Sequence, residues 1–554
     1  MKKWTEKTFQ GSLANLHYLS RTFNVDPFIM KILFSRGMTN GQNISKFLFP
    51  SISDLHDPFL LNDMKPAIQR TIQAIRNNES IVIFGDYDVD GITSTSIMKK
   101  ALDFFNSRVH AELPLREHGY GITVSAIERL QSRYQPSLII TVDNGSNAHE
   151  AMRYAKEQGI DVIVTDHHEI LDYDPSCYAF INPKRSDNRY PFTELSGAGV
   201  AFKFVHALFS CSKFSWEKHI WDYVELASLG TVADMMKLIG ENRIIASLGI
   251  QKLNVAPSPV FEALFRLLSI TKVESETIGF TLAPIFNSVG RIDDPNMASS
   301  ILSNDETTET KLFHLIETNK KRKWLTYEQT MLAENIILQK QLFNKNIIVV
   351  AGDFHDGIIG IIAARITNKY KKPSIVISKN GKGSARSVGQ FSIINTIERC
   401  ADYLKSFGGH QGAAGLSISL NRFEEFSKAI ERSAQLEAPP VVELFYDETI
   451  SFEQLPLFPL DELTLLEPFG MANQKPIFYC PNLYVERVEI FGRYEKHAKL
   501  YAEKKEALLF MEGLSLSHIN GPTHLDLLYS PSARNQVIIQ DFSFSASSSL
   551  PTAL

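Results

Sequence analysis

The sequence predicts an α/β protein of several domains, built on a parallel sheet whose strand ends carry acid and imidazole. Three observations predict it. Short β-branched runs recur in the first third of the chain, within Ile81 to Gly91 (IVIFGDYDVDG), Leu138 to Ser146 (LIITVDNGS) and Asp161 to Glu169 (DVIVTDHHE). Each run closes on Gly, Asp or His, and helix-like stretches such as ITSTSIMKKALDFF and AHEAMRYAKEQG separate them. Such runs read as strands buried on both faces, and their alternation with helices reads as βαβ units. Ligands of these sheets bind outside the carboxyl ends of the strands, so Asp86, Asp88, Asp90, Asp143, Asp166, His167 and His168 are expected to converge there. That many carboxylates in one crevice call for cations.

Composition bounds the rest. A chain of 554 residues is too long for one core and is expected to divide into several domains. With 44% apolar and 21% charged residues, and no apolar run long enough to cross a bilayer, it reads as soluble, globular and cytoplasmic, with no membrane partner. The net charge of -5 argues against general polyanion binding, so nucleic-acid contacts would come from local basic clefts. Cys177, Cys211, Cys400 and Cys480 are scattered without C-x-x-C spacing, which suggests neither zinc nor a disulfide framework. The start, MKKWTEKTFQ, has no apolar run after it of the kind a secretory signal needs.

The order of parts follows from pattern changes. Residues 1–80 read as a helical region forming a collar around the sheet, and 81–253 as the parallel-sheet domain. Residues 254–343 carry few strand signals and end in one long helix that connects two lobes. A second, smaller α/β unit is expected over 344–438, with the strand PSIVIS and two Gly-rich loops. Short alternating runs over 439–545 read as a small β-barrel, for which the oligonucleotide-binding OB-fold is a candidate. The tail 546–554 reads as disordered.

The acidic cluster points to a reaction. Hard oxygen donors with an imidazole suit manganese or magnesium better than zinc, and carboxylates two apart can serve neighbouring ions. Two such ions activate water and neutralise an in-line attack at phosphorus, so phosphoester hydrolysis is the natural chemistry. A calcium loop is the competing reading of D-x-D-x-D-G, but it would place a Glu further along, and here the motif follows a buried strand and opens a helix.

GDYDVDGITS, TVDNG, TDHH and GTVADM, in that order, resemble the four motifs of the DHH phosphoesterase family. SRGM, DPFLLNDM, LPLREHGYG, LSGAGVAFK, ENR, NSVGR, GSARS, FGGHQGAAG and EPFGMANQKPIF resemble segments of its RecJ branch, bacterial exonucleases specific for single strands and acting 5′ to 3′. The resemblance runs from about Ile32 into the barrel. It implies that Asp88, Asp90, Asp143, His167 and Asp234 ligate two divalent metal ions, manganese or magnesium, with Asp143 between them. Asp86 and Asp166 would support that shell, and His168 would face the scissile phosphate. Arg116, Ser384 and Arg386 are implied as a 5′-phosphate pocket with Arg291 on the strand's path, and a pocket of that kind would explain 5′ polarity. His355 and His410, in Gly-rich turns, are further candidates to meet phosphate or to satisfy a local carbonyl.

On the barrel, Phe491, Arg493, Tyr494, Lys496, His497 and Lys499 interleave aromatic and basic residues as a candidate single-strand surface. The chain departs from the family at Ile285, where Arg is common, and at Phe354, where Trp is usual. The expected function is therefore a metal-dependent 5′-to-3′ exonuclease on single-stranded DNA in repair and recombination. Single-strand-binding protein and a helicase are candidate partners, and a monomer is the default state. A DHH phosphodiesterase for short oligonucleotides or cyclic dinucleotides is the first alternative, and the extra barrel and N-terminal region argue against it. A non-catalytic DNA-binding scaffold is the second, and the complete ligand set argues against that.

Overall fold

The computed structural model describes residues 2–116, 119, 121–172, 176–303, 309–437, 442–492, 496–510, 512–519, 521–533 and 536–545. The expected disordered tail, Arg493 and Tyr494 lie outside the described residues. The chain forms two compact units, one of Ser51–Val441 with Gly470–Ala472, the other of Met1–Pro50 with Val442–Phe469 and Asn473–Leu554.

In the first unit, the predicted apolar runs are strands of a five-stranded sheet, ordered Val109–Glu112, Ile81–Phe84, Leu138–Val142, Asp161–Thr165 and Ala179–Ile181. Every neighbouring pair is parallel. The runs are continuously apolar because both faces are covered. Val82, Phe84, Ile139, Val162 and Val164 pack with Ala126, Ile127 and Leu130 and with Ala151, Met152 and Ala155, on helices Val124–Tyr134 and His149–Glu157. The alternate residues Ile81, Ile83, Leu138, Ile140, Val142 and Ile163 join the larger core on the other side, with Ile92 and Ile97 of helix Val89–Phe104. After Ile81–Phe84 the chain goes first to one neighbouring strand and then to the other. The topological switch point therefore lies between Ile81–Phe84 and Leu138–Val142, where α/β sheets open a crevice for ligands.

Beyond the sheet, helices Pro259–Leu268, Ala283–Ile292 and Pro295–Ser303 lead to Glu309–Gln339, a 31-residue helix that leads into the second sheet. That sheet is ordered Ser406–His410, Ala413–Ser417, Lys382–Arg386, Ser374–Ile377 and Ile348–Ala351. Only its last pair is parallel, the others being antiparallel.

The second unit corrects one expectation. Residues 1–80 do not act as a single helical collar: the segment divides at Pro50, and its first part belongs with the C-terminal region. Lys2–Glu6 is a strand paired in parallel with Val442–Tyr446, a contact no local pattern encodes. Helices Leu13–Phe23, Pro27–Ser35 and Gly41–Leu48 bury Leu19, Ile29, Phe34 and Phe47 in a core that also takes Leu463 and Leu466. Phe28 packs on Phe458 at 4.6 Å and on Phe478 at 5.9 Å between ring centres. The C-terminal domain is a seven-stranded, mainly antiparallel sheet. Its strands alternate buried and part-exposed residues, as in His497–Ala502 and Lys505–Leu509, which is the period expected of a sheet with one covered face. Among the described residues, no helix is long and apolar enough to cross a membrane.

The first unit also buries a polar network. Lys203, fully enclosed on helix Gly197–Ser210, donates from Nζ to Glu241 Oε1 at 2.8 Å and to the carbonyl of His56. Glu241 in turn accepts the Tyr190 hydroxyl and the His56 amide. Removing one partner strands the other charge, so Lys203→Met is expected to lose about 3–5 kcal/mol in denaturant unfolding; a loss under about 1 kcal/mol would refute the network's role. One turn on, His206 is buried against Trp216, ring centres 4.1 Å apart, and burial with the Lys203 charge pushes its pKa down to about 3. Only the unfolded chain then takes this proton between its ordinary pKa and about 3, so stability falls as pH drops through that window. We expect His206→Gln to flatten that fall by about 2 kcal/mol at pH 5, read from urea midpoints across pH.

Candidate metal centre and substrate cleft

Four strand-end or helix-end turns deliver the acidic residues to one place. The strand Ile81–Phe84 ends at Gly85 and Asp86, and Asp88 then caps helix Val89–Phe104, its carboxylate accepting the Gly91 amide at 3.1 Å. Asp90, in the first turn, is held by both oxygens: they accept the amides of Gly197 at 2.6 Å and Ala198 at 2.9 Å, at the start of helix Gly197–Ser210. Those amides have no partner inside their own helix, and the helix N-terminus favours a carboxylate. Asp143 follows Leu138–Val142 with a left-handed φ of 60°. Asp166 follows Asp161–Thr165; its Oδ1 accepts the amides of His167 at 2.7 Å and His168 at 3.2 Å and meets His168 Nδ1 at 2.7 Å, and its Oδ2 accepts the Ser146 amide at 2.9 Å. Asp234 caps the end of helix Val224–Ala233.

His167 Nε2 stands at the centre, 3.1 Å from Asp143 Oδ1, 3.6 Å from Asp90 Oδ2 and 3.7 Å from Asp234 Oδ2. Three overlapping groups have donor atoms close enough to share an ion: Asp143, His167 and His168; Asp90, His167 and Asp234; Asp86, Asp88 and Asp143. Burial, then neighbouring carboxylates, push Asp90 up to about 7 and Asp234 up to about 8, and drive Asp86 and Asp143 well above the ordinary carboxylate range. Asp166 goes the other way: burial alone would raise it, but its hydrogen bond to His168 carries it below that range. Burial holds His167 down to about 3, whereas for His168 the Asp166 contact outweighs burial and lifts it to about 9. Asp86 Oδ1 is buried without a hydrogen-bond partner. A cluster of hard oxygens and one neutral imidazole, with a buried oxygen unpartnered and four of its acids, Asp86, Asp90, Asp143 and Asp234, held above their usual range, fits divalent cations such as manganese or magnesium.

A cleft of about 690 Å³ is lined by Arg116, Arg291, Gln329 and His355, by Lys379 and Lys382, and by four carboxylates, of which Asp353 pairs with Lys379 at 2.8 Å and Asp356 lies 3.9 Å from Lys382. Arg116 Nε donates to the Gly290 carbonyl at 3.1 Å, and Arg291 Nη1 to the Gly357 carbonyl at 3.1 Å. Burial above all, then the charges of Arg116 and Arg322, push Arg291 down to about 10. His355 Nδ1 accepts the Gly357 amide at 3.1 Å, which makes Nε2 the protonated nitrogen of its neutral form. The other candidates lie outside this lining. Arg386 Nη1 donates to Ser384 Oγ at 3.2 Å, and both side chains come within 3.2 Å of the place where a Cβ on Gly360 would sit. His410 lies on the exposed edge strand Ser406–His410. On the barrel, the Phe491 and His497 rings meet at 5.3 Å between centres, tilted by 40°, while the Lys499 amine is already paired with Glu506 at 3.2 Å. Ile285 and Phe354, the two departures from the family, are both buried in hydrophobic clusters.

Comparison with known proteins places this architecture. Residues 80–231 match the N-terminal domain of the DHH family, 344–435 the DHHA1 domain and 446–536 the RecJ OB domain. The single-stranded-DNA-specific exonuclease RecJ of Dickeya dadantii is 30% identical over 489 residues, covering 82% of this chain and 83% of that one. The chain belongs to the RecJ family. RecJ of Bacillus subtilis is 33% identical over 90% of this chain, which spans 64% of that relative's length. The fold agrees with the crystal structure of RecJ from Thermus thermophilus in complex with Mn2+, with a TM-score of 0.83 and 24% identity over 98% of this chain and 79% of that one.

Some residues of this centre escape a reading of strand ends. Asn287 accepts the Val89 amide at 3.1 Å and so ties helix Ala283–Ile292 to the acidic loop. Asn182 donates to Ser146 Oγ and to the His168 carbonyl, both at 2.9 Å, bracing the turn after the histidines. Gly197 supplies an amide to Asp90 and also space: a Cβ there would lie 2.5 Å from Asp143 Cβ. The signal was the SGAG sequence, whose small residues at a helix start mark a close approach. Gly197→Ala is expected to displace Asp143 and weaken Mn2+ binding about 10- to 100-fold by titration calorimetry while circular dichroism stays unchanged. Wild-type affinity in that variant would refute the packing argument.

Proposed function

We propose that the chain is a metal-dependent exonuclease that degrades single-stranded DNA from its 5′ end to mononucleotides. The observation that carries this reading is the meeting of Asp86, Asp88, Asp90, Asp143, His167 and Asp234 at the switch point of the parallel sheet. The relatives named RecJ are single-stranded-DNA-specific exonucleases, and Arg116 and Arg291 in the cleft offer guanidinium groups to a phosphate backbone.

In this reading Asp88, Asp90, Asp143, His167 and Asp234 would hold two divalent ions, and Asp86 and Asp166 would support those residues. When bound, manganese or magnesium lowers the pKa of water and neutralises charge on the phosphate under attack. The Gly197 and Ala198 amides hold Asp90 in one orientation, so that carboxylate needs no rearrangement when substrate arrives. Asp166 holds His168 by Nδ1, and the cationic ring presents Nε2 to a phosphate oxygen, where it offsets charge that grows during attack. Arg116, with Ser384 and Arg386, takes the terminal 5′ phosphate; Arg291 and His355 lie along the strand's path, and His410 meets the strand further along the exposed sheet edge.

The same reading assigns residues 81–253 to hydrolysis, 254–343 to connection, 344–438 to holding the strand and 439–545 to single-strand grip by the OB domain. It places the protein in the cytoplasm as a monomer acting in repair and recombination, supplied by a helicase and by single-strand-binding protein.

The test is a product time course on single-stranded DNA carrying a 5′ phosphate and a label at either end, with Mn2+ or Mg2+. Mononucleotides should leave the 5′ end, duplex should resist, and Asp143→Asn should slow release at least about 100-fold. Survival of long strands together with cleavage of dinucleotides would replace this reading with that of a small-substrate phosphodiesterase. Binding without cleavage would leave a scaffold.

A further inference from the structure

We infer that Tyr87 is a positioning residue for recognition of a terminal phosphate, its ring serving as the platform that fixes the plane of the Arg116 guanidinium at the cleft wall. The inference rests on the reading of Arg116 given above.

Tyr87 separates Asp86 from Asp88, yet its side chain serves a different partner. The Arg116 guanidinium carbon lies 4.3 Å from the centre of the Tyr87 ring, a cation–π distance. The arginine is restrained a second way, through Nε to the Gly290 carbonyl at 3.1 Å. Gly290 can come this near because it has no side chain: a Cβ there would lie 1.9 Å from the Tyr87 carbonyl oxygen. The acidic loop, Gly290 and Arg116 thus form one interlocked set, and Arg291, next in sequence, extends it to the Gly357 carbonyl. Arg116 and Arg291 line the same cleft.

This arrangement suits one class of ligand. A guanidinium recognises phosphate through its planar fork, and the fit depends on orientation as well as charge. An arginine free to rotate would lose rotamer entropy on every binding event; one laid on an aromatic face with Nε already committed presents its outer edge in a fixed direction. Because Tyr87 lies between Asp86 and Asp88, the platform under the anchor for the terminal phosphate belongs to the same loop as two of the carboxylates of the centre. The interaction requires the π face rather than the hydroxyl, so phenylalanine should replace Tyr87 and leucine should not.

The experiment compares full-length wild type, Tyr87→Leu, Tyr87→Phe, Arg116→Ala and the double variant Tyr87→Leu/Arg116→Ala, on one single strand carrying either a 5′ phosphate or a 5′ hydroxyl. Tyr87→Leu should reduce the preference for the phosphorylated strand about 3- to 10-fold, through KM rather than kcat. Tyr87→Phe should keep the preference, and the double variant should lose no more of it than Arg116→Ala alone. Equal losses on both substrates, a loss shared by Tyr87→Phe, or additive effects in the double variant would overturn the inference. If Arg116→Ala keeps the phosphate preference, the reading of Arg116 fails; if that variant loses it while Tyr87→Leu does not, the positioning role alone fails.

Discussion

The structure around the site depends on keeping several carboxylates close together and largely out of water. Each of Asp86, Asp90 and Asp143 is nearly inaccessible, and every one is pushed toward its protonated form by burial and by its neighbours. Without compensation such a cluster would repel itself or take up protons. The chain answers with fixed dipoles: a helix start aimed at Asp90, the amides of His167, His168 and Ser146 on Asp166, and a capping role for Asp88. Backbone amides compensate anions without adding mobile cationic side chains that would compete with a metal ion for the same oxygens.

This constraint explains why so much packing surrounds a small centre. Helix Gly197–Ser210 must approach within contact of Asp143, which admits only glycine at its first position. The same helix is anchored from behind by the buried Lys203 and Glu241 pair, far from water and hydrogen-bonded on both sides. An ion pair so enclosed contributes little net stability, but it fixes register: a sliding helix would leave a charge unpartnered. The amides that hold Asp90 and the amine that holds the helix are thus two ends of one positioning device.

Much of this was legible in the sequence because parallel strands announce themselves. Ile81–Phe84, Leu138–Val142 and Asp161–Thr165 are continuous apolar runs, and chemistry at their ends follows from the geometry of a parallel sheet. The convergence of Asp86, Asp143 and His167 needed no more than that, whereas Asp234 ends a helix and was placed by family resemblance alone. What escaped was non-local. Nothing in Lys2–Glu6 says that it pairs with Val442–Tyr446, more than four hundred residues away, so a segment read as one helical collar divides at Pro50. Asn287 was visible only as part of a motif, since its acceptor role toward Val89 exists once helix Ala283–Ile292 has docked. Ser384, Arg386 and His410 share Gly-rich surroundings in sequence, but the central strand of the sheet and its exposed edge give them different neighbours.

The connection between the acidic loop and the rest of its unit runs through helix Ala283–Ile292. At mid-helix Asn287 accepts the Val89 amide; toward the C-terminal end Gly290 lies against Tyr87 and receives Arg116, and Arg291 reaches Gly357. These contacts involve backbone atoms on at least one side, so they constrain position more tightly than side-chain pairs, which can rotate away. Arg291 and Arg116 stand close enough for each charge to oppose the other, and burial adds to that cost. Two cations held together by backbone carbonyls, rather than by carboxylates, keep most of their attraction for an incoming anion. A substrate phosphate would relieve their repulsion, and the helix that holds them is the one that also holds the loop bearing the carboxylates. The cleft arginines and the carboxylate loop are therefore tied to one helix, Ala283–Ile292.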